Sequence, residues 1–97
     1  MNNPIQPMYA VEHAYSDGRQ TYDIFLTKEA AIAFCGNAAN WTETHKPLFM
    51  FKADFNADLI YFDEQLNGWN YEDFADTIIG NYTIIRHIND YPKSFAV

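Results

Sequence analysis

From Met8 to Tyr15 the chain alternates, with Tyr9, Val11, His13 and Tyr15 on one side of an extended strand and Met8, Ala10, Glu12 and Ala14 on the other. Ser16-Asp17-Gly18-Arg19 follows, a tight-turn signal, because glycine takes positive φ at no steric cost. Alternation resumes with Tyr22, Ile24 and Leu26 against Thr21, Asp23 and Phe25, which predicts a β-hairpin. Ahead of it, Met1 to Pro7 reads as a short polar lead-in with two prolines. After it the period changes. Thr27 suits an N-cap with Glu29 in the first turn, and Ala31, Phe34, Cys35 and Ala38 recur at helical spacing. Gly36 and Asn37 weaken the far end of that helix, and Asn40 to Pro47 reads as a loop holding Trp41 and His45.

Leu48 to Phe55 is the strongest strand signal, with Phe49, Phe51, Ala53 and Phe55 facing one way and Leu48, Met50, Lys52 and Asp54 the other. Leu59 to Phe62 is a second short apolar run, too short for periodicity to separate a strand from a helical turn. Asn70-Tyr71-Glu72-Asp73 predicts a helix start with Asn70 as N-cap. Its apolar stripe would be Tyr71, Phe74, Ala75 and Ile78, closed by Gly80 in the left-handed conformation. Tyr82 to Ile88 predicts a last strand before Tyr91-Pro92 breaks regularity. The expected fold is α+β in the order ββαβ(β)αβ. It has a small antiparallel or mixed sheet of four to five strands, with two helices on one face. With 97 residues the chain is a single domain, 1–97.

Composition sharpens this reading. Phe, Tyr and Trp supply 18% of the residues and leucine is scarce, so the core is built from aromatics, each able to bury about 150–250 Å². Cys35 is the only cysteine; no internal disulfide can form, which favours a cytoplasmic setting over secretion. The N-terminus carries neither a basic n-region nor an apolar h-region, and no run reaches the ~18 apolar residues of a membrane span.

Thirteen acids stand against six bases, a formal charge of −7. That balance argues against direct binding to nucleic-acid phosphates or an anionic membrane. Solubility alone accounts for a total of this size; the distribution says more. From Ala53 to Ile85 there are seven carboxylates, Asp54, Asp58, Asp63, Glu64, Glu72, Asp73 and Asp76, and no lysine or arginine. Glu72 and Asp73 fit the positive end of a helix, Asp63 and Glu64 a solvated loop, Asp58 a turn and Asp54 the wet face of a strand. Asp76 is less easily explained, since like charges one turn apart on a helix cost a few tenths of a kcal/mol. A field of one sign attracts basic partners.

Catalytic signatures are sparse. His13, Cys35, His45 and His87 share no metal-ligand spacing, and His13 and His87 fall on strands as part-buried polar residues. Cys35 lies on the apolar stripe of its helix, a poor position for an activated thiolate. The four glycines are isolated, so no phosphate loop exists, and a chain this short rarely builds a carboxylate-lined substrate cleft with both walls. The expectation is no enzyme, no metal and no cofactor. Tyr61, Trp69 and Tyr71 are interleaved with acids rather than bases, the reverse of a single-strand-binding pattern. They suit anchors in a protein interface.

Carboxylates two apart on a strand lie about 6.6–6.8 Å apart. Helix neighbours at i, i+3 or i, i+4 lie about 5–6 Å apart. Both approximate the ladder of DNA phosphates, one every ~3.4 Å per strand. A compact, acidic, aromatic- and asparagine-rich chain of this length, with acids clustered from Asp54 to Asp76, resembles the phage-encoded anti-CRISPR proteins that block type I surveillance complexes by imitating target DNA. Anti-restriction DNA mimics are similar but generally more acidic. The resemblance is one of size, charge and composition and carries over no individual residue. It implies a non-enzymatic inhibitor in the bacterial cytoplasm, whose partner is a basic DNA-binding protein or ribonucleoprotein complex. The contact residues would be Asp54, Asp58, Asp63, Glu64, Glu72, Asp73 and Asp76, with Tyr61, Trp69 and Tyr71 between them. The alternative is a small accessory domain that binds another protein through its aromatic face, with the acids serving solubility.

Overall fold

A computed structural model describes residues 4–65 and 67–88. The first hairpin pairs β1 (Ile5–Tyr15) with β2 (Gln20–Phe25). Its turn forms as the sequence predicts: Gly18 has φ of 93° and the Asp17 carboxylate accepts from the Arg19 N–H at 3.0 Å. Helix α1 (Lys28–Gly36) is capped by Thr27, whose hydroxyl accepts from the Ala30 N–H at 3.1 Å. A single 3-10 turn (Ala38–Asn40) leads into β3 (His45–Asn56). Next come a short hairpin of β4 (Ile60–Asp63) and β5 (Gly68–Tyr71), helix α2 (Phe74–Thr77) and β6 (Ile78–His87).

The main sheet has the order β2-β1-β3-β6, antiparallel throughout, and β4 pairs only with β5. The α+β class and the antiparallel sheet match expectation, but the layering does not. The two helices lie on opposite faces. Val11 and Met50 face α1 and pack with Ala31, Cys35 and Trp41. Met8, Ala10, Phe51, Ala53 and Phe55 face the other way, where Trp69, Tyr71 and Phe74 cover them from the β4–β5 hairpin and α2. The sheet is therefore the middle of three layers, with Phe51 and Phe55 fully buried. Each such side chain contributes about 1.5–3 kcal/mol.

Several boundaries also move. β1 begins at Ile5, inside the segment read as a lead-in, because Ile5 to Pro7 pair with Asn56 to Asp54. The predicted helix from Tyr71 shrinks to one turn. Asp73, not Asn70, is its N-cap, its side chain accepting from the Ala75 N–H at 3.1 Å. Asn70 and Tyr71 pair in β5, and Ile78 and Gly80 belong to β6. Positive φ falls on Asn67 and Asn81 rather than on Gly80, and asparagine is among the few other residues that tolerate it. The Leu59–Phe62 run resolves as strand from Ile60 onward. The Tyr91-Pro92 break lies outside the described residues.

One irregularity reaches the interior. The β1–β3 register shifts at Glu12/His13: Glu12 is opposite Phe49, but His13 is opposite Pro47. Leu48 is the extra residue of a β-bulge, and a bulge turns every side chain beyond it over to the other face. Pro47 and His45 thereby share the α1 face with Met50, and His45 comes opposite Tyr15.

Candidate functional site

Four of the seven predicted carboxylates converge. Asp58, Glu72, Asp73 and Asp76, with Leu59 and Tyr61, line one open cleft of about 300 Å³. The local fold explains the convergence. After β3, the Asn56 side chain accepts from the Asp58 N–H at 3.0 Å and its carbonyl from the Leu59 N–H at 3.0 Å. That turn delivers β4 beside the segment entering α2. Asp73 is held at the helix start by its capping bond, and the Asp76 N–H donates to the Asp73 carbonyl at 3.2 Å. Asp58, Glu72, Asp73 and Asp76 are all exposed, as is Tyr61. The described residues around this cleft include no lysine or arginine.

The other three acids lie elsewhere. The Asp54 carboxylate accepts from Asn81 Nδ2 at 2.6 Å and so ties β3 to β6. Asp63, half-buried in β4, accepts from the Gln65 N–H at 2.9 Å and from Asn70 Nδ2 at 3.4 Å. Both serve the fold directly. Glu64 is exposed in the β4–β5 turn, away from the cleft lining.

The aromatic residues divide in the same way. Tyr61 is 55% exposed and belongs to the acidic cleft. Trp69 is half-buried against the core and packs edge-on with Phe62 at 5.5 Å. Tyr71 pins the small hairpin to the main sheet: its hydroxyl accepts from the Tyr22 N–H at 3.2 Å and donates to the Tyr22 carbonyl at 3.2 Å. Burial raises the Tyr71 pKa, as it does that of Tyr22, where a hydrogen bond to Glu12 adds to the effect. Of the three expected aromatic anchors, Tyr61 stands in the open.

Sequence reasoning missed a polar chain on the opposite face. His13, 5% exposed, sits between Asp23 and His45, with Nε2 at 2.7 Å from Asp23 Oδ2 and Nδ1 at 2.6 Å from His45 Nε2. A carboxylate only accepts, so the network assigns the His13 proton to Nε2 and leaves Nδ1 to accept from His45. The Thr21 hydroxyl lies 2.9 Å from the same Nδ1. His45 stacks on Tyr15 at 4.0 Å, and the edge of Trp41 closes over both imidazoles. Burial lowers the His45 pKa and the neighbouring His13 adds to the shift. No spacing rule could find this chain, because the Leu48 bulge creates it. His87, expected to be part-buried, is exposed.

Cys35 lies beneath this layer. Burial pushes its thiol up to about 12, so at neutral pH it is a small apolar side chain rather than a nucleophile. Among the described residues, no group of three or more His, Cys, Asp or Glu side chains is disposed to hold a metal ion. No helix among them is long and apolar enough to cross a membrane. Compared with known proteins, the chain matches no family model, no curated protein and no solved structure.

Proposed function

We propose that this chain is a non-catalytic inhibitor whose acidic cleft docks on the basic DNA-binding channel of a bacterial defence complex and excludes target DNA by imitating its charge. The observation that carries the reading is the gathering of Asp58, Glu72, Asp73 and Asp76 around one open cleft, with Tyr61 beside them and no basic side chain among the described residues of the lining. A domain selected for stability alone would intersperse lysines there to relieve like-charge repulsion. A cluster that retains its repulsion is suited to a partner that supplies the cations. Its field would steer a basic surface into contact and raise the on-rate. Tyr61 offers the amphipathic contact typical of interface hot spots. The anti-CRISPR-like character of the chain makes a type I surveillance complex, in the host cytoplasm, the partner to try first.

A second reading, an accessory domain that contacts a protein through an aromatic face, draws on the exposure of Tyr61 and Phe62, 55% and 47%. The two readings part on salt and on charge. The purified protein is mixed with a type I surveillance complex, run on size exclusion and challenged with target duplex. Inhibition by mimicry requires co-elution, loss of duplex binding and weakening with rising salt. The triple variant Asp58→Lys, Glu72→Lys, Asp76→Lys leaves the Asp73 cap in place and should abolish association while keeping the wild-type circular dichroism. Unchanged affinity of that variant at physiological salt would sink the mimicry mechanism. Salt-insensitive binding lost on Tyr61→Ala would move the assignment to the accessory domain.

A further inference from the structure

A second cleft runs along the outer edge of β2, between the start of α1 and the β4–β5 hairpin, and takes no part in the acidic site. Its volume is about 380 Å³, inside the roughly 300–1,000 Å³ range of small-molecule pockets. Its walls are apolar, with Leu26 and Phe34 on the α1 side and Phe62 and Trp69 on the hairpin side. Leu26 and Phe62 are 54% and 47% exposed, a large apolar exposure for two side chains of one small cleft.

One charged group stands on this wall. Asp23 is the single ionised residue among the described residues that line the cleft. Its Oδ2 is held from behind by His13 Nε2 at 2.7 Å, while its side chain stays 46% exposed. A fixed, half-exposed carboxylate at the end of an apolar slot selects a cation with an apolar body.

We infer that this cleft binds a small organic ammonium, its head donating to the Asp23 carboxylate and its apolar body lying between Leu26, Phe34, Phe62 and Trp69. An ammonium is a donor only, and its bond to a carboxylate is of the stronger, charge-assisted kind. An anion meets Asp23 as a like charge. A neutral alcohol of the same shape fills the slot but forgoes the charge-assisted bond.

The test uses the full chain, labelled with nitrogen-15 and titrated with phenethylammonium, 2-phenylethanol and 3-phenylpropanoate while amide shifts are followed. Phenethylammonium should give saturable shifts from Ile24 to Ala30 and at Gly68 and Trp69. The alcohol should bind about tenfold more weakly at the same residues, and the carboxylate should not bind. Asp23→Asn keeps an oxygen for His13 to donate to and should lower ammonium affinity to that of the alcohol. Leu26→Lys puts a cation in the slot and should abolish binding with the remaining spectrum unchanged. Equal affinity for ammonium and alcohol, or full affinity in Asp23→Asn, would overturn the inference. So would the absence of saturable shifts, or shifts confined to Asp58, Glu72 and Asp76, which would report only the general attraction of cations to the acidic side.

Discussion

Behind α1 polar side chains of the sheet are paired around a buried His13, whereas on the hairpin and α2 side the clustered carboxylates stand in water. His13 is nearly inaccessible, and both of its ring nitrogens have partners. Asp58, Glu72 and Asp76 are exposed around a cleft whose described residues bring no cation. The physical stakes differ accordingly. An unpaired polar group in the interior costs about 1–3 kcal/mol, so the first arrangement fixes a register and permits few substitutions. Exposed like charges cost far less per pair, because water screens them. The second arrangement can therefore be shaped for a partner with little loss of stability, and that is where the proposed binding surface lies.

The largest effect should come from the layer common to both sides. Phe51→Ala removes a fully buried ring at the centre of the hairpin-side core and should destabilise by about 3–5 kcal/mol, read from the urea midpoint by circular dichroism. Tyr61→Ala, the same kind of truncation at an exposed site on β4, should stay within about 0.5 kcal/mol. Comparable losses from the two would mean that the acidic side is packed into the core and not poised on its surface.

Tyr71→Phe comes next. It deletes one hydroxyl and leaves the Tyr22 N–H and C=O without the partner that joins the small hairpin to β2. A loss of about 1–3 kcal/mol is expected, together with faster amide exchange at Tyr22 and in β4 and β5. If stability falls while exchange in β4 and β5 does not change, the hairpin is held by ring packing of Trp69 and Phe74 instead.

What was legible in the sequence follows the same division. The first hairpin and α1 could be read from local signals: the Asp17-Gly18 turn, the Thr27 cap and the stripe of Ala31, Phe34 and Cys35 each act within a few residues, whereas Ala38, expected on that stripe, is exposed in the 3-10 turn beyond the helix. The Phe49-to-Phe55 alternation likewise gave the buried face of β3. The helix expected from Tyr71 was wrong because Asp73 outcompetes Asn70 as cap once Asn70 and Tyr71 pair with Tyr61 and Ile60, a contact between segments about ten residues apart. The opposite placement of the helices depends on which face of the sheet each crosses, and amphipathic stripes do not encode that. Asp58, Glu72, Asp73 and Asp76 could be named from composition, but their convergence depends on the turn at Asn56. Asp54 and Asp63 looked identical to them in sequence and proved to be ties within the fold. The His13–His45 pair was hidden for one reason: strict alternation sends His45 to the wrong side, and only the Leu48 bulge brings it back.

That pair yields the smallest effect and the finest contrast between the two sides, a dependence of stability on pH. Burial, then the neighbouring His13, and then Arg19 lower the His45 pKa below its ordinary 6.5, with Asp23 opposing. The folded protein therefore takes up this proton less readily than the unfolded chain does. Where the unfolded state binds more protons, stability rises with pH. The His45 contribution is thus present in full above about pH 6.5 and declines as the pH falls below it, through the lowered folded value. Urea midpoints taken between about pH 7.5 and 5.5 should fall on acidification. His45→Gln isolates the effect, because the glutamine amide still offers His13 Nδ1 a donor but takes up no proton in this range. The difference between wild type and variant cancels the contribution of shared groups that do not touch His45, the clustered carboxylates included, and leaves that of His45 with its coupling to His13. The variant should lose less stability on acidification than the wild type. Parallel curves would mean that His45 reaches water freely despite its stack on Tyr15, and that the polar groups behind α1 are less sealed than their distances imply.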